Sequence, residues 1–242
     1  MILKMENYSY PTRDEWLEYS MTFPVMRRFG FSFVKEFTLL LEGEKSSKEV
    51  HQIQNLYHWD SVLSTKVWNL RQSYVNTLVN FKRGIAKKDQ DFKNELKVIN
   101  LRQFDFYFET TLYYLISTRD VILQIVNLAF IEKCFHESKV KLDSGFIAKI
   151  GNLEVKNMII FSTKNLKEIN DLRNSMAHKF PKTTNDFRSE ISEDGRRYSS
   201  YRRKAIDYDK RIEKLETGLE HLYQLYSGIE SELRKQFPLE TD

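Results

Sequence analysis

Residues 165–180, NLKEINDLRNSMAHKF, carry the side chains best suited to chemistry: Arg173, Asn174 and His178. A guanidinium is a fixed fork of donors for an anion. An imidazole, ordinarily titrating at about 6.5, exchanges protons near neutral pH. Helical periodicity sets their placement. With Leu166 at zero on a wheel, Ile169, Leu172, Met176, Ala177 and Phe180 fall between about 240° and about 20°, the core-facing side. Arg173 falls at about 340°, inside that arc, where a charge is costly unless it is paired or reaches out along its stem to a cleft or a partner surface. Asn174, at about 80°, and His178, at about 120°, share the opposite face as i and i+4 neighbours. This argues against His178 as a satisfied core residue, although an exposed histidine on a solvated face meets the spacing equally well.

An arginine followed at once by a polar residue, with a histidine a few positions later near the end of a helix, resembles the signature of the HEPN superfamily (higher eukaryotes and prokaryotes nucleotide-binding). Here it reads Arg173-Asn174-Ser175-Met176-Ala177-His178, inside the fuller string L-R-N-x-x-A-H, and Pro181 stops the helix. The likeness extends to an upstream helix over 108–131 and a closing helix after the motif, roughly residues 100–236. Residues 1–99 have no counterpart in the minimal family core and read as an N-terminal helical extension of a larger bacterial member.

The resemblance implies an all-α, HEPN-like up-and-down helical bundle, usually dimeric, in which the motifs of two protomers face each other across a cleft. Many members are metal-independent endoribonucleases of toxin–antitoxin, abortive-infection or other antiviral systems. Carried over by position, His178 acts as general acid/base on the RNA 2′-hydroxyl or the departing oxygen. Arg173 holds the scissile phosphate and offsets transition-state charge, and Asn174 orients His178 or the substrate. The implied partners are single-stranded RNA, a second copy of the chain, and an antitoxin or defence-system protein; no cofactor is implied. Some toxin members carry a tyrosine two residues after the histidine, which a partner antitoxin nucleotidylates. Phe180 stands there in this chain and lacks the hydroxyl. Other members bind or scaffold without cutting, so the alternative is a non-catalytic RNA- or nucleotide-binding or dimeric protein-interaction module.

The elements that must position these residues are helical by composition. The chain has 242 residues, 41% of them hydrophobic, with only 8 Gly and 4 Pro to supply turns, too few for a many-stranded fold. Cys134 stands alone, which excludes an intramolecular disulfide and a cysteine-based zinc cluster. No carboxylate or histidine cluster shows ligand spacing, so no metal site is expected. The N-terminus lacks the apolar run of a secretory signal, and a cytoplasmic address is expected. Residues 110–131 are apolar enough to suggest a membrane span, but Arg119 and Asp120 sit at their centre, so the stretch reads as the buried central helix of a bundle.

Along the chain, the spacing predicts a short helix over 14–19 and another over 31–42, ended by Gly43. A long helix follows, capped by Ser46 or Ser47 with Glu49 in the capping box, and runs to about Arg83. Gly84 and residues 87–91 mark a hinge. A third helix is expected over about 92–135, interrupted near Gln103. On it Glu109, Ser117, Asp120, Gln124 and Asn127 project within about 80°, either as a network holding two helices in register or as the lining of a cleft. A looser region over 137–163 leads to the motif helix over about 164–180. Glu193-Asp194-Gly195 between polar runs suggests a small β-hairpin near 187–203. A last helix over about 205–236 carries Ile212, Leu215, Leu219, Leu222, Tyr223, Tyr226, Ile229 and Leu233 on one stripe. Two segments result, 1–99 and 100–242, packed as one body.

The net charge of +4 is concentrated over 66–104, with 9 basic and 3 acidic residues, around Lys82, Arg83, Lys87 and Lys88, which read as a solvated face. Residues 196–204 interleave Arg196, Arg197, Arg202, Arg203 and Lys204 with Tyr198 and Tyr201. Cations meet phosphates and aromatic faces stack on unpaired bases, so this run is a candidate RNA contact. Cross-strand pairing with Glu190, Glu193 and Asp194 is the competing account.

Overall fold

Ser46 opens one of the two longest described helices with a complete capping box: its Oγ accepts from the Glu49 amide, and the Glu49 carboxylate accepts from the Ser46 amide at 2.8 Å. The helix so started, α2, spans Ser47–Lys82. A shorter helix, α1, spans Arg13–Thr22. These belong to a computed structural model that describes residues 8–22, 46–178, 190–198 and 206–237. The helix expected over 31–42 lies outside the described residues.

Gly84 takes φ +94° just past the end of α2, a conformation that side chains with a Cβ rarely adopt. The turn is fixed by Asp91, whose carboxylate accepts from the amides of Lys87 and Lys88 and from Lys97 Nζ. Asn94 then caps α3, Glu95–Phe130, by accepting from the Lys97 amide. The expected break near Gln103 is absent, because no Gly or Pro interrupts 95–130 and Phe104, Phe108, Leu112 and Leu115 are all buried along one line. α2 and α3 form the principal antiparallel pair, with the Thr77 and Thr111 hydroxyls 3.2 Å apart at their seam.

The stretch expected to be loose is helical. Asp143 caps α4, Ser144–Lys149, and Asn152 caps α5, Leu153–Asn165. Periodicity hid α5 because it has apolar residues on both sides: Val155 and Ile159 are buried, while Leu153, Ile160 and Phe161 are exposed. Leu166 is a kink, not a loop. Its amide donates to Ser162 O, its carbonyl accepts from Asn170 N, and α6, Lys167–His178, continues beyond it. The last helix, α7, spans Tyr208–Gln236 from an Asp207 cap. Every residue of its predicted stripe is buried except Tyr223, which is half-buried. β1, Glu190–Ile191, pairs antiparallel with β2, Arg197–Tyr198. Gly195 closes the turn between them with φ +78°, as the Glu-Asp-Gly reading requires.

The described residues therefore form an all-α helical bundle of seven helices with one small hairpin. A single apolar cluster takes residues from α2, α3, α5, α6 and α7, so both sides of position 99 share one core. No helix among the described residues is long and apolar enough to cross a membrane. α1 is fastened to the α2 end by Arg83, which donates to both carboxylate oxygens of Glu15 and to the Ser9 and Tyr10 carbonyls. Lys87 pairs with Asp209 at 2.9 Å at the start of α7. Two of the four cations read as a solvated face are thus spent on joining helices.

Gly218 of α7 sets how closely α6 approaches. A Cβ there would stand 2.8 Å from Ile169 Cγ1 and 3.2 Å from Leu115 Cδ1. Gly228 offers a contrast, since the nearest atom to its Cβ would be Met158 Sδ, in a flexible thioether that can swing away. Alanine gains roughly 1 kcal/mol over glycine in a helix, but overpacking at 218 costs about 1–3 kcal/mol. Gly218→Ala is expected to lower the urea midpoint while Gly228→Ala leaves it unchanged or raises it. Equal midpoints would show that α6 and α7 tolerate separation.

Candidate functional site

α6 lies across α3 and α7, with Leu166 and Ile169 buried beneath it and Leu172 and Met176 packed at the edge of the core. That register leaves Arg173 at the rim. Its guanidinium donates from Nη1 to Asn174 Oδ1 at 2.7 Å, which ties the charge to the next residue of the helix. Arg173 and Met176 line one wall of a cleft of about 310 Å3, and Glu109, Thr110, Leu112, Tyr113 and Tyr114 of α3 line the other. His178 ends α6 one turn beyond Asn174; its side chain lies outside the described residues.

Cation and aromatic groups meet at this cleft. Lys66 of α2 places Nζ 5.6 Å from the ring centroids of both Tyr113 and Tyr114, within the range of cation–π attraction. The two tyrosine rings stand edge to face at 5.2 Å.

Behind Glu109 lies a second charged group. Arg211 of α7 is nearly buried, 12% exposed, and sits 3.5 Å from Asp105 with its guanidinium over the Phe108 and Tyr208 rings. Burial pulls the Arg211 guanidinium down while Asp105 raises it. Loss of solvent likewise raises Glu109, against the pull of Arg211. Asp105 is pushed up to about 6 by burial, although Arg211 draws it the other way.

An unfolded aspartate titrates at about 3.9. The native Asp105 therefore binds its proton more tightly, and its ionisation above about pH 6 works against the fold; that penalty is relieved as pH falls from 6 toward 4. Glu15 acts in the opposite sense. Arg83 holds it down to about 2, so its stabilisation is present above the ordinary carboxylate range of about 4.3 and is lost as pH falls below it toward 2. Asp105→Asn is expected to flatten the stability profile between about pH 4 and 6 and to leave the acid limb below it. Urea unfolding across that range checks the sign.

The polar stripe predicted on α3 does not act as one unit. Gln124 donates to Glu137 O; Asn127 donates to Phe135 O and accepts from the Phe135 amide. These two pin the 132–139 connection back onto α3, and Asp120 pairs with its neighbour Arg119. Of the four residues offered as a cleft network, Glu109 alone lines the Arg173 cleft. Of the basic and aromatic run, Arg196 is 86% exposed and 3.4 Å from Asp194 within its own turn, and Arg197 is exposed opposite Ile191. The Tyr198 side chain and Tyr201, Arg202, Arg203 and Lys204 lie outside the described residues. Among the described residues, no group of three or more His, Cys, Asp or Glu is placed to hold a metal ion.

Sequence reading missed Lys66, Tyr113, Tyr114, Asp105 and Arg211 as members of this neighbourhood. Arg211 was findable by the argument that singled out Arg173: with Leu215 at zero it falls at about 320°, inside the apolar arc of α7.

Fold and site together define an all-α bundle with a cleft of cationic and aromatic groups between its central helix and the motif helix. No known protein family, curated protein or solved structure matches the chain.

Proposed function

We propose that the chain is a metal-independent endoribonuclease of the HEPN type, working in a toxin–antitoxin or antiviral setting in the cytoplasm. The observation that carries this reading is the course of Arg173. Its guanidinium lines the cleft against α3 and is tied to Asn174, the residue one helical turn before His178. Asn174 thereby has a definite part, which is to hold the phosphate-binding fork in place.

In this reading the 2′-oxygen of the substrate attacks the adjacent phosphorus as its proton leaves, and the bond from phosphorus to the 5′-oxygen breaks as that oxygen takes up a proton. His178 handles one of these protons. Its counterpart in a second copy of the chain handles the other across the shared cleft, which gives the homodimer a chemical reason. Arg173 offsets the charge gathering on the phosphoryl oxygens. The test is cleavage of single-stranded RNA by the purified chain in EDTA. No cutting under any ionic condition would reject the proposal.

The exposed Leu153, Ile160 and Phe161 of α5 favour a second reading, a non-catalytic protein-interaction module. It calls for salt-sensitive RNA binding or partner binding without turnover.

A further inference from the structure

Tyr113 projects outward from the most buried part of α3. Its neighbours Leu112, Leu115 and Ile116 are fully enclosed, whereas Tyr113 is 48% exposed and lines the same cleft as Arg173. Its ring is steadied by Tyr114 edge-on and by the Lys66 ammonium 5.6 Å away. A half-exposed aromatic ring held on a rigid helix, with one cation beside it and a second across a short cleft, suits a nucleotide. The base takes the ring face and the phosphate takes the guanidinium.

Size sharpens the choice. About 310 Å3 is at the small end of ligand clefts, room for a base beside Tyr113 but not for a larger ligand. Within a duplex each base is already stacked on its neighbours and offers a protein only its edge.

We infer that Tyr113, supported by Lys66, is the stacking platform for one unpaired base of an RNA strand whose phosphate Arg173 holds. The phosphate half of this statement rests on the ribonuclease reading; the stacking half does not. The site thus selects single-stranded RNA by base access, and the nucleotide on Tyr113 must be unpaired for the neighbouring phosphate to reach Arg173.

The test uses a short fluorescein-labelled 2′-O-methyl RNA, which has no free 2′-hydroxyl and stays intact, read by anisotropy as a single strand and as a duplex. Tyr113→Ala is expected to weaken single-strand binding by about 5- to 140-fold, the effect of losing one base–aromatic stack. Tyr113→Trp is expected to restore it, and duplex binding is expected to be the same in all three proteins. The platform is overturned if Tyr113→Ala binds the single strand as wild type does, if Trp is no better than Ala, or if the wild-type chain does not bind the strand. Unmodified RNA run in parallel separates the two ideas. Intact RNA alongside a Tyr113-dependent binding loss rejects the nuclease and keeps the platform, and cleavage with Tyr113→Ala binding unchanged does the reverse.

Discussion

Arg173→Ala is expected to lower single-stranded RNA cleavage by about 100- to 1,000-fold, the usual effect of removing one preorganised donor from a charged transition state. His178→Ala is expected to cost about 100- to 10,000-fold, the range for a positioned general acid or base. The two losses should not multiply. If both side chains serve the same displacement, the double variant retains about the activity of the weaker single one. Arg173→Lys tests geometry apart from charge. An ammonium keeps the positive charge but cannot donate to Asn174 and grip a phosphate as a planar fork does, so most of the loss should persist. Arg173 sits at the rim of the bundle, so its replacement should leave the thermal midpoint nearly unchanged. Full cleavage by both single variants would remove them from the mechanism.

Much of the scaffold was readable because it obeys local rules. The Ser46–Glu49 capping box, the break at Gly84, the α7 stripe and the Glu-Asp-Gly turn all state their structure within a few residues, and each occurs as expected. α5 escaped because its exposed Leu153, Ile160 and Phe161 blur the difference between its two faces. The polar stripe on α3 misled for a related reason. A wheel shows that Gln124 and Asn127 share a direction, yet only the chain's return through Phe135 and Glu137 supplies their partners. The same limit applies to the cleft. Arg173 could be recognised as misplaced from one helix alone, but Lys66, Tyr113 and Arg173 are spread over 108 positions of sequence, and only the packing of α2, α3 and α6 brings them together.

That separation between scaffold and cleft can be tested by damaging one without the other. Phe104 is fully buried and meets three rings: Phe81 of α2 at 5.8 Å, Phe108 of α3 at 5.6 Å and Tyr208 of α7 at 5.6 Å. It therefore joins three helices at one point, and Arg211 lies over two of its ring partners. Phe104→Ala is expected to cost about 3–5 kcal/mol, from lost burial and from the cavity left among rings that cannot close inward. Against a total stability of about 5–15 kcal/mol, that lowers the thermal midpoint by roughly 6–20 °C for a chain of this size. Phe104 precedes Tyr113 by nine residues on one continuous helix, roughly 14 Å along its axis. Below its lowered midpoint the variant should therefore cut RNA and bind the single strand as wild type does, the mirror image of Arg173→Ala. Calorimetry paired with cleavage rates on both variants decides it. A folded Phe104→Ala chain that has lost activity would mean that the ring cluster and Arg211 hold the cleft in shape, and the functional unit would then reach from α6 down the length of α3.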